Sequence, residues 1–153
     1  AWGGIDVLVN NAVFYREQDF LEITPEEWTA RVNVSLRGPY FLTQAVLPYM
    51  IKAERGDVIT IGSSDVQKPV AKGHLSEYAA AKGGLTGFMR ACRDAYEPKG
   101  IRFSMINPGW IYKGEETERH EKQVHAEEVA RTVLFLATLT PGHVIREIML
   151  ETP

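Results

Sequence analysis

The chain has 153 residues, which is enough for one domain with a hydrophobic core of its own. Its formal net charge of −3 and the lack of a basic cluster argue against a nucleic-acid-binding protein. No apolar run approaches the roughly 20 residues of a membrane-spanning helix, and the single cysteine, Cys92, excludes an internal disulfide. This cysteine usage fits a reducing compartment, so we expect a cytoplasmic protein that works away from membranes and nucleic acid.

The first predicted elements are a buried strand and a long helix. Residues 5–9 are almost continuously apolar and rich in β-branched side chains, which is typical of a buried strand. The stretch ITPEEW then contains a Thr-x-x-Glu capping box with Thr24 as the N-cap, followed directly by a proline. The apolar pattern continues for about 28 residues, so we predict a helix over 25–53 with a kink at Gly38-Pro39.

Strands and helices alternate through the rest of the chain. We predict strands over 57–61, 101–106 and 143–150, and helices over 78–96 and 127–139. A polar, charged stretch over 113–123 is the best candidate for a mobile lid. Repeated strand–helix–strand units imply a parallel sheet with helices on both faces, so the expected fold class is α/β, doubly wound.

The stretch SEYAAAKGG places a phenol and an ammonium four residues apart. On a helix, Tyr78 and Lys82 lie on one face. A nearby cation favours the phenolate and lowers the pKa of a tyrosine from its usual value near ~10. Such a pair can donate and accept a proton near neutral pH. A single Tyr-x-x-x-Lys also arises by chance, so the rest of the sequence has to decide its meaning.

Five motifs resemble, in their order and nearly in their spacing, those of the short-chain dehydrogenase/reductase family. They are LVNNA at 8–12, RVNVSLRGPYFLTQAVLPYM at 31–50, VITIGSS at 58–64, the Tyr78/Lys82 pair and INPGWI at 106–111, and REIML at 146–150 resembles the closing strand of the family's reductases. The likeness covers essentially the whole chain. It implies the later strands and helices of a Rossmann-like, doubly wound parallel sheet.

The resemblance implies hydride transfer between NAD or NADP and a carbonyl or alcohol. In that family's pattern, Tyr78 would be the general acid or base, and Lys82 would lower the pKa of Tyr78 and hold the nicotinamide ribose. Asn33 would fix a water of a proton relay at a break in its helix. A serine after the second strand would hydrogen-bond the reacting oxygen; Ser63 matches best, and Ser64 is the alternative.

The same resemblance implies a set of cofactor contacts. They are Asn11, Ala12, Tyr78, Lys82, Pro108, Gly109 and Ile111, and Trp110 is a further candidate for lining the nicotinamide pocket. Two residues depart from the family's pattern. Val13 stands where glycine is usual, and Lys113 stands where a threonine often contacts the carboxamide.

The family's glycine-rich turn has no match among the 153 residues. We therefore expect the chain to start inside a domain, so that 1–153 is the catalytic portion of one Rossmann-like domain without its N-terminal dinucleotide-binding part. The alternative is a truncated, non-catalytic fragment that acts only through association. A dehydratase or epimerase sharing the Tyr/Lys pair fits the NNA and REIML motifs less well.

Two further expectations concern assembly and metals. By resemblance, the two long helices meet a second copy in the family's dimers, so we expect a homo-oligomer. His120 and His125 are five residues apart in a polar stretch and do not share a helical face, so we expect no metal site.

Overall fold

The computed structural model of the chain describes residues 3–66, 75–112 and 123–153. These residues form ten strands and α-helices along the chain: β1 (Val7–Asn10), α1 (Pro25–Val32), α2 (Gly38–Ala53), β2 (Gly56–Ile61), α3 (Ser76–Tyr96), β3 (Ile101–Pro108), β4 (Ile111–Tyr112), β5 (Val124–His125), α4 (Ala126–Ala137) and β6 (Glu147–Leu150). A π-helical turn, Asn33–Arg37, joins α1 to α2.

The central element is a four-stranded parallel sheet with the strand order β1-β2-β3-β6. Its register places Val9 opposite Ile59, and Ile106 opposite Ile148. This arrangement confirms the predicted α/β fold with a parallel sheet. The two-residue strands β4 and β5 form a second small parallel pair, which no pattern in the sequence predicts.

The sheet separates two hydrophobic clusters, one on each face. Alternate residues of β2 point to opposite sides, so Val58 belongs to the cluster under α2 and α3, and Ile59 belongs to the cluster under α4. Cys92 is buried in the first cluster. Helices therefore cover both faces, as expected for strand–helix–strand units.

The long predicted helix is present, but it is interrupted. Its capping box forms: the Thr24 hydroxyl accepts from the Glu27 N–H at 3.2 Å, and the Glu27 carboxylate accepts from the Thr24 N–H at 3.0 Å. The π-helical turn stands directly before the predicted kink. There the Gly38 N–H donates to the Asn33 carbonyl, five residues back.

Some predicted elements differ from those in the structure, and others fall on residues that the structure does not describe. The last strand covers only Glu147–Leu150 of the predicted 143–150. Most of the predicted lid, with Lys113 and His120, lies outside the described residues. Within the described ranges, no helix is both long and apolar enough to cross a membrane, and no group of three or more potential ligands is placed to hold a metal ion.

Candidate functional site

The candidate site lies at the carboxyl ends of β1, β2 and β3. Parallel strands place these ends at one edge of the sheet, where open α/β folds bind their ligands. Asn10 anchors this edge, because its buried side-chain NH2 donates to the hydroxyls of Thr43 at 3.2 Å and Thr60 at 3.3 Å. The following residues, Asn11 and Ala12, are exposed at the edge. Asn10 is therefore the structural asparagine of the pair, and Asn11 is the accessible one.

Lys82 is buried directly behind this edge, with 3% of its surface exposed. Its Nζ donates to the Ile61 carbonyl, the last of β2, at 2.7 Å. Nζ also lies 5.7 Å from the centre of the Tyr78 ring, as the four-residue spacing on α3 predicted. Burial lowers the pKa of Lys82 to about 8, because a charged ammonium is poorly solvated there.

The Ser63 side chain lies close enough to the Tyr78 phenol to influence its pKa. Burial is the largest influence on the phenol and raises the pKa of Tyr78; Ser63 lowers it, and the negative charge of Asp65 raises it. The family resemblance predicts that Lys82 lowers the pKa of Tyr78, and the net direction is the opposite. The reason is that desolvation of the phenol outweighs the influence of Ser63, while the Lys82 ammonium is directed to the Ile61 carbonyl.

The two candidate serines have different surroundings, although both are buried. The Ser63 hydroxyl lies beside the Tyr78 phenol and accepts from the Asp65 N–H at 3.2 Å. Ser64 begins the short 3-10 turn Ser64–Val66. Of the two serines, Ser63 is the one that influences the pKa of the Tyr78 phenol, and the choice between them stays a prediction.

Among the described hydrogen bonds, none joins the Asn33 side chain to Tyr78, Lys82 or Ser63. Asn33 is exposed, and its side-chain oxygen accepts from Arg37 at 3.4 Å. Ser35, two residues further on, is buried with 2% of its surface exposed, and its hydroxyl accepts from the Phe14 N–H at 3.0 Å. The π-helical turn causes this difference, because it decides which residues of the break face inward.

A cluster of three aromatic rings covers the Tyr78 side of the site. The Tyr15 ring meets Tyr78 edge to face, with ring centres 5.4 Å apart, and meets Trp110 in the same way at 6.1 Å. The three residues follow β1, β2 and β3 in the chain, and these strands are neighbours in the sheet. Trp110 was predicted to line the nicotinamide pocket, and that role stays a prediction. Tyr15 was missed because an aromatic residue in a loop carries no local signal.

The remaining predicted cofactor contacts follow β3. Pro108 ends the strand, and the Gly109 N–H donates to the Leu150 carbonyl at 2.8 Å. Ile111 packs against the cluster under α4. A side chain at Gly109 would meet its nearest neighbour only at 3.8 Å, so packing within the chain does not require glycine there. Close approach of a ligand to this backbone would account for it.

Comparison with known proteins identifies the family. The sequence profile of the short chain dehydrogenase family matches residues 1–125. A 3-oxoacyl-acyl-carrier-protein reductase of Thermotoga maritima is 31% identical over 97% of this chain and 65% of its own length. The acetoacetyl-CoA reductase of Shinella zoogloeoides is 34% identical over 93% of this chain and 64% of its own length.

Solved structures give the same result. A metagenomic short-chain oxidoreductase in complex with NADP is 32% identical, with a TM-score of 0.81 over 99% of this chain and 63% of that one. Serine dehydrogenase from Escherichia coli is 26% identical, with a TM-score of 0.84 over 97% of this chain and 64% of that one. The chain belongs to the short-chain dehydrogenase family, and it spans slightly less than two thirds of the length of these relatives.

Proposed function

We propose that the chain carries the catalytic and nicotinamide-binding part of an NAD- or NADP-dependent oxidoreductase that interconverts a carbonyl and an alcohol. The observation that carries this proposal is the Tyr78 hydroxyl, beside Ser63 and one helical turn from the buried Lys82, at the carboxyl edge of the sheet. The names of the relatives support it, since two are reductases and one solved structure holds NADP.

The residues at this edge fit the nicotinamide end of such a cofactor. Asn11 and Ala12 are open to it, Gly109 allows close approach, and Tyr78 and Lys82 offer a hydroxyl and an ammonium to a ribose. When bound, the nicotinamide would supply or accept the hydride. A glycine-rich pyrophosphate cradle is absent from the sequence, so we propose no pyrophosphate site within these 153 residues.

The protein residues would handle the proton. Because burial raises the pKa of Tyr78, its phenol is protonated at neutral pH and suited to donate to a carbonyl oxygen. Ser63 would donate a hydrogen bond to the same oxygen and stabilise its developing charge. The Lys82 ammonium would stabilise the phenolate that remains, and in the alcohol-oxidising direction Tyr78 would accept the proton.

A tyrosine exchange tests the proposal. Tyr78→Phe removes only the proton donor, so we expect carbonyl reduction by an active form of the protein to fall by about 10²–10⁴-fold in kcat. Tyr49→Phe, on the exposed face of α2, is the matched control and should retain full activity. Near-normal turnover by Tyr78→Phe would contradict the assignment.

The alternative, a non-catalytic fragment that acts by association, also has a specific observation in its favour. The strand β1 and the helix α2 expose large apolar side chains, among them Val7, Val9, Phe41 and Tyr49. Association and catalysis are compatible, so we propose a homo-oligomer as well. We also propose the cytoplasm as its compartment, since the buried Cys92 is a free thiol.

A further inference from the structure

The rings of Tyr15 and Trp110 form an aromatic wall beside the proposed proton donor, Tyr78. The Tyr15 ring is nearly perpendicular to both of the others, with interplanar angles of 87° to Tyr78 and 89° to Trp110. Tyr15 is 37% exposed and Trp110 is 48% exposed, although both rings are large and apolar. Exposed aromatic surface beside a reacting group favours contact with an apolar part of a ligand.

The loop that carries Tyr15 is held against the helix that carries Tyr78. Gln18 accepts a hydrogen bond from the guanidinium of the buried Arg31. Through its other terminal nitrogen, the same guanidinium pairs with Glu77 at 2.5 Å, and Glu77 directly precedes Tyr78. One buried side chain therefore positions both segments, so the wall is formed before a ligand arrives.

Trp110 is held by the small second sheet. Its carbonyl accepts from the Val124 N–H at 2.8 Å. The residues that follow Trp110 form β4, which pairs with β5. The backbone at Trp110 is thus fixed on the side of the wall that lies away from the Tyr15 loop.

The charged side chains next to the wall are carboxylates. The Tyr15 hydroxyl donates to Glu17 at 2.9 Å, and the Asp65 N–H donates to the Ser63 hydroxyl beside Tyr78. Burial raises the pKa of Tyr15 most, and the bond to Glu17 and the charges of Glu17 and Asp65 raise it further. An anionic group of a ligand would be repelled at this place, whereas an uncharged group would not.

We propose that the substrate of this site is an uncharged ketone that carries an aromatic ring, or the corresponding alcohol, and that the ring packs against Tyr15 and Trp110 while the oxygen reaches Tyr78. Tyr15 is thereby a specificity-determining residue. Edge-to-face and offset contacts between rings stabilise an aromatic group more than a saturated ring of the same size. The inference rests on the proposed function and adds the class of substrate to it.

Binding to the 153-residue chain tests the wall without catalysis. Phenylacetone and cyclohexylacetone differ only in the saturation of the ring, and their dissociation constants can be measured by ligand-observed NMR. We expect phenylacetone to bind about fivefold more tightly, and Tyr15→Leu should abolish this preference. Phe135→Leu, which removes an exposed aromatic ring of α4, is the control and should keep it. Equal binding of the two ketones, or a preference that survives in Tyr15→Leu, overturns the preformed wall.

Kinetics of an active form of the protein test the class of substrate. Tyr15→Leu should lower kcat/KM for phenylacetone about fivefold, mainly by raising KM, and should change kcat/KM for cyclohexylacetone less than about twofold. A loss of kcat that is equal for both ketones would instead indicate general damage to the site and overturns the specificity role.

A matched pair of substituted ketones tests the effect of charge. The wild type should use 4-(2-oxopropyl)benzamide with a kcat/KM about tenfold higher than that of the anion 4-(2-oxopropyl)benzoate. Glu17→Gln removes one carboxylate, so it should narrow this difference to about threefold. Equal use of the amide and the anion by the wild type overturns the requirement for an uncharged substrate.

The proposed function and this inference fail in different ways. Full activity of Tyr78→Phe would remove the proposed function, and the binding preference of the 153-residue chain would still decide whether Tyr15 and Trp110 hold an aromatic ring. Conversely, equal use of phenylacetone and cyclohexylacetone beside a large loss in Tyr78→Phe would keep the function and remove the inference.

Discussion

The Lys82 side chain is almost entirely buried, and its Nζ donates a hydrogen bond to the carbonyl of Ile61, the last residue of β2. Such burial disfavours the ammonium and is the reason that its pKa falls to about 8. In the unfolded chain the pKa of a lysine is near ~10.4. Between these two values the unfolded state binds more protons than the folded state. The contribution of Lys82 to the free energy of unfolding therefore rises as pH increases from about 8 to ~10.4.

Lys82→Met should consequently stabilise the fold at neutral pH, even though it removes a hydrogen bond to Ile61. We expect a gain on the order of 2 kcal/mol in the free energy of unfolding at pH 7, shrinking towards zero by about pH 10.4. Urea unfolding of both proteins at pH 7, 9 and 10.4 measures the difference. A Met variant that is less stable than wild type by the same amount at every pH would contradict the burial argument.

The catalytic candidates differ in how much of their placement the sequence contains. Tyr78 and Lys82 are four residues apart on one helix, so local spacing predicts that they share a face, whereas Ser63 was selected by the family resemblance. Asn33 and Ser35 lie in a break whose hydrogen bonding shifts by one residue, and periodicity cannot tell which of them faces inward. The direction of the pKa shift at Tyr78 depends on burial, which the motif does not contain.

Among the elements, α1 and α3 are joined by a buried ion pair. The Arg31 and Glu77 side chains are 3% and 2% exposed and lie 2.5 Å apart, and Gln18 also accepts from the Arg31 guanidinium. Removing one partner from such a pair leaves an uncompensated charge in a poorly solvated place. The pair thereby fixes the first turn of α3, which carries Tyr78, against the helix that leads into the break.

Glu77→Gln should therefore lower the free energy of unfolding by about 3–5 kcal/mol, as measured from urea midpoints. The control is Glu127→Gln, which removes one partner of Arg131 in an exposed pair on α4 and should cost less than about 1 kcal/mol. The double variant Arg31→Met/Glu77→Leu should recover much of the loss, since no charge is then left unpaired. Equal effects of the two single variants would argue against a structural role for the buried pair.

The limits of helices and strands were predicted well where the residues at their ends mark them. Thr24 forms the expected capping box, and α3 and β3 end within a few residues of their predicted limits. The paired strands β4 and β5 have only two residues each, too few for any periodicity. The contact between Arg31 and Glu77 joins residues 46 apart and has no counterpart in local spacing.

On the scale of the whole molecule, two of the exposed apolar surfaces of the described residues are relevant to association. Within the described residues β1 pairs only with β2, and its side chains Val7 and Val9 are 38% and 39% exposed. A strand with one free edge invites pairing with another chain. The second surface is the outer face of α2, where Tyr40, Phe41 and Tyr49 are exposed. Both surfaces favour association.

We therefore expect the 153-residue chain to associate in solution, and sedimentation velocity at low micromolar concentration measures this. If the α2 surface is responsible, Phe41→Glu should release monomer, whereas Val7→Lys should do so if the β1 edge is responsible. Glu128→Lys, on the exposed face of α4, is a control for the change in charge and should not alter the distribution. A single folded monomer for the unaltered chain would contradict the expectation.

The order of the strands also determines how the chain reaches this fold. Paired residues of β1 and β2, such as Asn10 and Thr60, are 50 apart in sequence, and the pair Asp57 and Arg102 of β2 and β3 is 45 apart. A strand can pair with the next strand of the sheet only after the intervening helix has brought the two together. Sheets with such distant pairings fold slowly. Apolar strands stay unpaired during that interval, when chaperones or aggregation compete with folding. The yield of native protein should therefore depend on chain concentration and on the speed of dilution from denaturant.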